Sequence, residues 1–211
     1  MSADEPMSAD ESMSADRSLP EDHPDRLRWN ARYAGGFVPS FAPHPLAVRA
    51  LAMDLPGGPV ADLACGASGS ALLAAARGRP VTAVDISELA LGMLGDEARR
   101  RGLEHLITLV HADLAAWPLR PRSQALVLCT GWWDRAVFVV AAEAVTAGGL
   151  LGWEAFTIAA RSARPGLSAD WCLNPGEPAT LLPAGFTVLD QHDLPDREKG
   201  DRRQLLARRH R

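Results

Sequence analysis

The sequence predicts an α/β fold: a doubly wound, mostly parallel sheet of seven strands whose last strand runs antiparallel. Three observations support it. From Val60 onward, short apolar runs alternate with segments of helical periodicity. Cap and turn signals fall at the joints between them. The last two apolar runs lie too close together to hold a helix, so they read as a hairpin. A chain of 211 residues, 47% hydrophobic and 23% charged, can bury one such core unaided.

The elements follow in order. Residues 1–18 are a tandem repeat, "MSADEP MSADES MSADRS", too polar to bury anything and expected to be a disordered tail. Each copy begins with Met, so translation from Met7 or Met13 is an expectation; an intact mass that includes Met1 would refute it. Residues 19–56 read as an N-terminal helical flap. "EDHPDRLRWNARYAGG" is a short helix stopped by Gly35 and Gly36, "VPSFAPHP" is a connector, and Leu46 to Leu55 is a helix that ends at "PGGP".

Residues 57–211 form the main domain, with helices on both faces of a Rossmann-like sheet. Its first five strands are "VADL", "VTAVD", "ITLVH", "ALVLC" and the run "LLGWEAF". The helix after Asp85 is marked by Ser87 as N-cap, by Arg99, Arg100 and Arg101 in its last turn, and by Gly102 beyond. "NPGE" announces another, with Asn174 as cap, Pro175 at the first helical position and Glu177 as the capping-box acid, running to about Leu182. "FTVLD" and "RQLLAR" close the chain as an antiparallel hairpin at the sheet's edge.

Composition excludes several classes. A net charge of -4 lacks the basic footprint that phosphate neutralisation needs, so nucleic acid is not an expected partner. Cys65, Cys129 and Cys172 are odd in number and far apart, which indicates neither a disulfide framework nor a zinc site. His111 has no second ligand at metal spacing, and no metal is expected. There is no apolar run of membrane-spanning length and no secretory pattern at the start, so a cytoplasmic protein without a membrane partner is expected. Oligomeric state is not legible.

The chemistry concentrates in "VADLACGASGSALLAAARG", Val60 to Gly78. In doubly wound sheets ligands sit beyond the carboxyl ends of the strands, and the first strand-to-helix turn lines that crevice. Gly66 and Gly69 are expected to bring backbone close to a ligand and to take positive φ. Asp85 ends the next strand nineteen residues beyond Gly66, the separation at which an acid reaches ribose hydroxyls. Ala64 fills the first position of a dinucleotide fingerprint, and Asp62 stands just before it. A carboxylate repels a pyrophosphate and attracts a cationic amino-acid group. These charges favour S-adenosylmethionine over a nicotinamide dinucleotide.

"DLACGASGSALLAAARG", "VTAVDIS", "HADLAAWPL" and "AGGLLGWEAFT" resemble the ordered motifs of class I S-adenosylmethionine-dependent methyltransferases across most of Trp29 to Phe156, and "LNPGE" extends the match. "RWNARY" and "PHPL" resemble the small tellurite-resistance-like members. The resemblance implies that Asp62, Ala64, Gly66 and Ser68 contact the methionine portion and ribose. It places Asp85 on the ribose, Ile86 on the adenine face, and Asp113, after Ala112, on the adenine amino group. Cys129 and Thr130 fall where the substrate side begins. The family pattern usually carries glycine where Ser68 stands.

The expected reaction is in-line displacement at an activated methyl, so the protein mainly aligns a small-molecule acceptor and excludes water. "GWWDR" follows strand four, where Trp132 and Trp133 can wall the acceptor or pack under the next helix, and Asp134 can act as base or cap that helix. Trp133, Asp134 and Glu154 are the catalytic candidates, with His44 as a further base; Glu154 alternatively pairs with a buried arginine. Trp29, Arg32 and Tyr33 form a flap over the cofactor or a solvated face. "TIAARSARPGLSADW" is a lid over the acceptor. The arginine-rich end, "DREKGDRRQLLARRHR", touches an anionic acceptor or RNA, or else guards an edge strand by charge. Two rival functions stand beside methyl transfer: a non-catalytic sensor of S-adenosylmethionine or S-adenosylhomocysteine, and an NAD(P)-dependent oxidoreductase.

Overall fold

A computed structural model describes residues 21–211. The repeat of residues 1–18 and its candidate start sites lie outside the described residues. Seven strands form one sheet in the order β3-β2-β1-β4-β5-β7-β6. These are β1 (Val60–Leu63), β2 (Val81–Asp85), β3 (Ile107–His111), β4 (Gln124–Thr130), β5 (Val145–Phe156), β6 (Phe186–Leu194) and β7 (Arg202–Arg209). The pairs from β3 to β5 are parallel, and β7 runs antiparallel to both β5 and β6. The order reverses between β1 and β4, which opens a crevice at their carboxyl ends.

Strand alternation divides the core between two faces. Ala61, Leu63, Val127, Cys129, Leu151, Trp153 and Leu205 point toward α5 (Arg135–Ala144), where Trp133, Phe138 and Trp153 form an aromatic cluster with ring centroids 5.2–6.1 Å apart. Val60, Leu126, Leu128, Leu150 and Leu206 face α2 (Pro45–Ala52), α3 (Gly69–Ala76) and α4 (Glu88–Arg101). Each ring pair in the aromatic cluster adds about 0.5–1.5 kcal/mol beyond the burial itself.

The expected helix signals operate as read for α4: the Ser87 hydroxyl accepts from Ala90 N–H, and Gly102 closes the helix in the left-handed region at φ 67°. The flap region divides in two. α1 (Pro24–Ala34) buries no residue and lies at the carboxyl edge, whereas Leu46, Ala47, Ala50 and Leu51 of α2 are part of the core.

Two expectations need correction. The helix expected from Asn174 to Leu182 is a turn followed by a single 3-10 turn, Ala179–Leu181. Its capping bond does form, because Asn174 N–H donates to Glu177 at 2.7 Å. Helix propagation then fails: Gly176 sits at φ 84°, Pro178 has no N–H to donate, and Arg135 holds both oxygens of Glu177 at 2.9 Å. Second, β7 is interior and β6 is the edge. The arginines of β7 are used internally: Arg202 on Glu154, Arg203 on Asp193, and Arg209 on Glu143.

Candidate cofactor and acceptor site

The turn after β1 is shaped by two left-handed residues, Ala64 at φ 47° and Gly66 at φ 58°. Gly69 does not share that conformation. It opens α3, and its missing side chain makes room for the backbone of Phe41 and Ala42, since a Cβ there would meet Phe41 O at 2.4 Å. Ser68 accounts for its departure from the family pattern. At φ −82° it caps α3, accepting from Ser70 and Ala71 N–H at 3.1 Å, while its hydroxyl donates to Asp62 at 2.5 Å.

Asp62 is buried, and burial pushes its carboxyl up to about 6 despite the Ser68 bond; the neighbouring Asp85 adds to the rise. Asp85 is also buried, and its oxygens accept from Gly66 N–H at 2.7 Å and Ser87 N–H at 2.8 Å. Desolvation raises its carboxyl, against the pull of those backbone donors. Tyr33 reaches over the turn from α1, close enough that a Cβ on Gly66 would stand 2.5 Å from its hydroxyl. Burial and the Asp85 charge raise that phenol.

Two adjoining cavities open here. The first, of about 240 Å³, is lined by Ala64, Gly66, Asp85, Ile86, Ala112 and Asp113, closed by Trp29, Arg32 and Tyr33 of α1, and reached by Thr130 at the end of β4. Asp113 serves two ends: it accepts from Ala115 N–H to cap its own turn, and it lies 3.8 Å from His23. The second cavity, of about 260 Å³, is lined by Trp132, Trp133, Phe156, Arg164, Leu167 and Trp171, together with Arg28 of α1. The cavities share Asp25, Trp29, Arg32, Gly131 and Trp132.

Of the nine residues read as cofactor-binding, Asp62, Ser68 and Cys129 do not line the first cavity. They lie beneath the turn, where Asp62 and Ser68 bond each other and the Cys129 thiol, fully buried, faces Trp132 O. The catalytic candidates are more dispersed. Asp134 lines neither cavity and caps α5 by accepting from Val137 N–H at 2.9 Å. Glu154 also lines neither. It points to the α2 face, where it accepts from Arg202 at 3.0 Å and Gln204 at 2.6 Å and lies 3.3 Å from His44, whose other ring nitrogen caps α2. These partners hold its carboxyl below the usual range against desolvation. Trp133 is buried and reaches the second cavity alone.

The sequence reading missed Gly131 as the hinge of the two cavities, and Asp25, Arg28 and Arg164 as lining. Gly131 had a signal, a glycine at the end of the β4 run, and it adopts φ 96°. Asp25 and Arg28 had none, since contact between α1 and the segment after β5 is tertiary, whereas Arg164 belongs to the segment read as a lid. That segment carries 3-10 turns at Ile158–Ser162 and Ala169–Trp171.

The fold is one that solved methyltransferases share. Residues 60–149 match the family model described as "Methyltransferase domain". No curated protein matches the sequence. Solved structures share the fold. One, from work on conversion of a disulfide bond into a thioacetal group during echinomycin biosynthesis, is 21% identical with TM-score 0.63, covering 88% of this chain and 91% of that one. Geranyl diphosphate C-methyltransferase from Streptomyces coelicolor A3(2), solved with S-adenosyl-L-homocysteine, is 15% identical with TM-score 0.60 over 77% and 73% of the two chains. Magnesium protoporphyrin IX methyltransferase from Synechocystis PCC 6803, with bound S-adenosylhomocysteine, is 20% identical with TM-score 0.57 over 73% and 75%. Among the described residues, no helix is long and apolar enough to cross a membrane.

Proposed function

We propose that this protein transfers a methyl group from S-adenosylmethionine to a small-molecule acceptor, with the cofactor in the first cavity and the acceptor in the second. The observation that carries this reading is that the two cavities meet at Gly131 and Trp132, at the carboxyl edge where the sheet order reverses. When bound, the cofactor supplies a methyl group activated by its sulfonium charge.

The fit to the first cavity rests on its donors and shape. Asp85 presents a buried carboxylate for ribose hydroxyls, Ile86 and Ala112 offer apolar surface for adenine, and Asp113 accepts from its amino group. Gly66 at φ 58° brings backbone to the cavity without a side chain. Arg32 faces the methionine carboxylate. Asp62 acts from beneath the turn, its charge favouring an ammonium above it. Trp132 sets the wall between the two ligands, where an aromatic face favours positive charge.

The chain's part in the reaction is alignment and exclusion of water by α1 and the segment after β5. Asp134 and Glu154 are committed elsewhere, so a hydroxyl or amine acceptor would give its proton to Asp25, the carboxylate that lines both cavities. Incubating the protein with S-adenosylmethionine and a panel of small-molecule acceptors tests the reading: S-adenosylhomocysteine should accumulate with at least one acceptor and fall sharply in Trp132→Ala. Cofactor binding without turnover across a broad panel would favour the sensor.

A further inference from the structure

We propose that the second cavity is built for an acceptor that joins a flat apolar body to one small anionic group, an aromatic carboxylate in the simplest case. This rests on the assignment of that cavity to the acceptor. Five aromatic side chains line it: Trp29, Trp132, Trp133, Phe156 and Trp171. Such walls favour a planar apolar ligand over a strongly hydrated one.

The charges select the rest. Arg28, Arg32 and Arg164 line the cavity against one acid, Asp25. Several arginines elsewhere pair with carboxylates, Arg135 with Glu177, Arg202 with Glu154, Arg203 with Asp193, and Arg209 with Glu143, while Arg79, Arg161 and Arg208, which do not line the cavity, bond backbone carbonyls. Within the cavity, and among the described residues, only Arg28 has a carboxylate partner, Asp25 at 3.1 Å. Arg32 borders both cavities and is assigned to the cofactor's carboxylate. Arg164 remains. It lies over the Phe156 ring at 4.7 Å, and its hydrogen bond goes to a carbonyl, Lys199 O at 3.5 Å.

Arg28 lies over Trp171 at 4.6 Å and Trp29 at 5.3 Å. Guanidinium groups held by aromatic rings keep their N–H edges available, and that fork matches a carboxylate bidentately. A further donor is without an acceptor: Trp133 lines the cavity, and its buried Nε1 has no hydrogen-bond partner among the described residues. An anion entering between Arg164 and Arg28 answers this excess of donors, and the rings cover its apolar part.

The test uses the full chain and tryptophan fluorescence, titrated with 4-hydroxybenzoate and 2-naphthoate, with their carboxamides, and with inorganic phosphate, each with and without S-adenosylhomocysteine. The carboxylates should bind roughly tenfold tighter than the amides, as one charge-assisted hydrogen-bond pair implies. Arg164→Gln should remove that preference, Arg28→Gln should weaken it, and Arg164→Lys should restore part of it. Equal affinity for acids and amides, no binding of either acid, tighter binding of inorganic phosphate than of the acids, or a preference that survives Arg164→Gln would each overturn the proposal. Calorimetry with S-adenosylhomocysteine on the same proteins scores the first cavity separately. Its failure in the wild type would refute the cofactor reading, and the acid-over-amide comparison would still decide this one.

Discussion

Asp62→Asn tests how a buried charge is kept in this fold. Asp62 titrates near 6 in the folded protein against an ordinary 3.8, so at intermediate pH the folded state holds a proton that the unfolded chain has released. A carboxyl raised on folding contributes stability below pH 3.8 and loses it as pH rises through about 6. At 1.36 kcal/mol per pKa unit, the gap of roughly 2 units amounts to about 3 kcal/mol, lost between pH 4 and 7. Asn keeps the shape and the acceptor oxygen for Ser68 but carries no charge. The variant should therefore be the more stable at pH 7, by up to about 3 kcal/mol, with the difference shrinking toward pH 4.

Urea denaturation of both proteins across that pH range measures the difference directly. Carboxyls remote from the turn titrate alike in the two proteins and cancel; Glu88, for example, is held near 2 by its bonds to Arg26. Asp85, coupled to Asp62, shifts with it. An ammonium placed above the turn favours the charged form of Asp62, so binding S-adenosylhomocysteine, whose amino group is protonated near pH 6, should release a fraction of a proton. Calorimetry in buffers of different ionisation enthalpy reads that fraction, which should vanish in Asp62→Asn. A wild-type advantage at pH 7, or proton release unchanged in the variant, would refute the reasoning.

Three further predictions follow from the same geometry. Ser68→Ala removes the α3 cap and the partner of Asp62 and should cost about 1–2 kcal/mol by thermal or urea unfolding; an unchanged midpoint would contradict the capping role. Gly66→Ala should cost about 1 kcal/mol of stability for an alanine in the left-handed region and should weaken S-adenosylhomocysteine binding by collision with Tyr33. Adding Tyr33→Phe should recover binding but not stability, and recovery of neither would place the collision elsewhere. Glu154→Gln should destabilise by about 1–3 kcal/mol through its bonds to Arg202 and His44 while the KM for S-adenosylmethionine stays unchanged. A raised KM with intact stability would return Glu154 to the site.

What was legible in the sequence was what local pattern determines. Apolar alternation marked the strands, Ser87 and Gly102 bounded α4, and the acid after β2 marked a ligand edge. "NPGE" misled because its cap is real but the residues after it, Gly176 and Pro178, end the helix, and because Glu177 is also wanted by Arg135. Glu154 misled because neighbours on a strand point to opposite faces: Trp153 joins the α5 side, so Glu154 turns to His44. The order of acids and glycines around β1 and β2 could be read, but which atoms line a cavity depends on α1 crossing above them. That crossing set Arg28 opposite Arg164, 136 positions apart in the chain, and no local pattern encodes it.

Asp85 carries the central claim, that the edge between β1 and β2 binds a ribosylated cofactor without a pyrophosphate. Calorimetry of the wild type and Asp85→Ala with S-adenosylmethionine, S-adenosylhomocysteine and NAD tests it most directly. The account predicts that both sulfur cofactors bind the wild type, that NAD does not, and that Asp85→Ala, with two backbone donors left unpaired and the ribose partner gone, loses at least about tenfold in affinity. NAD binding in place of the sulfur cofactors, or cofactor affinity untouched by Asp85→Ala, would contradict it.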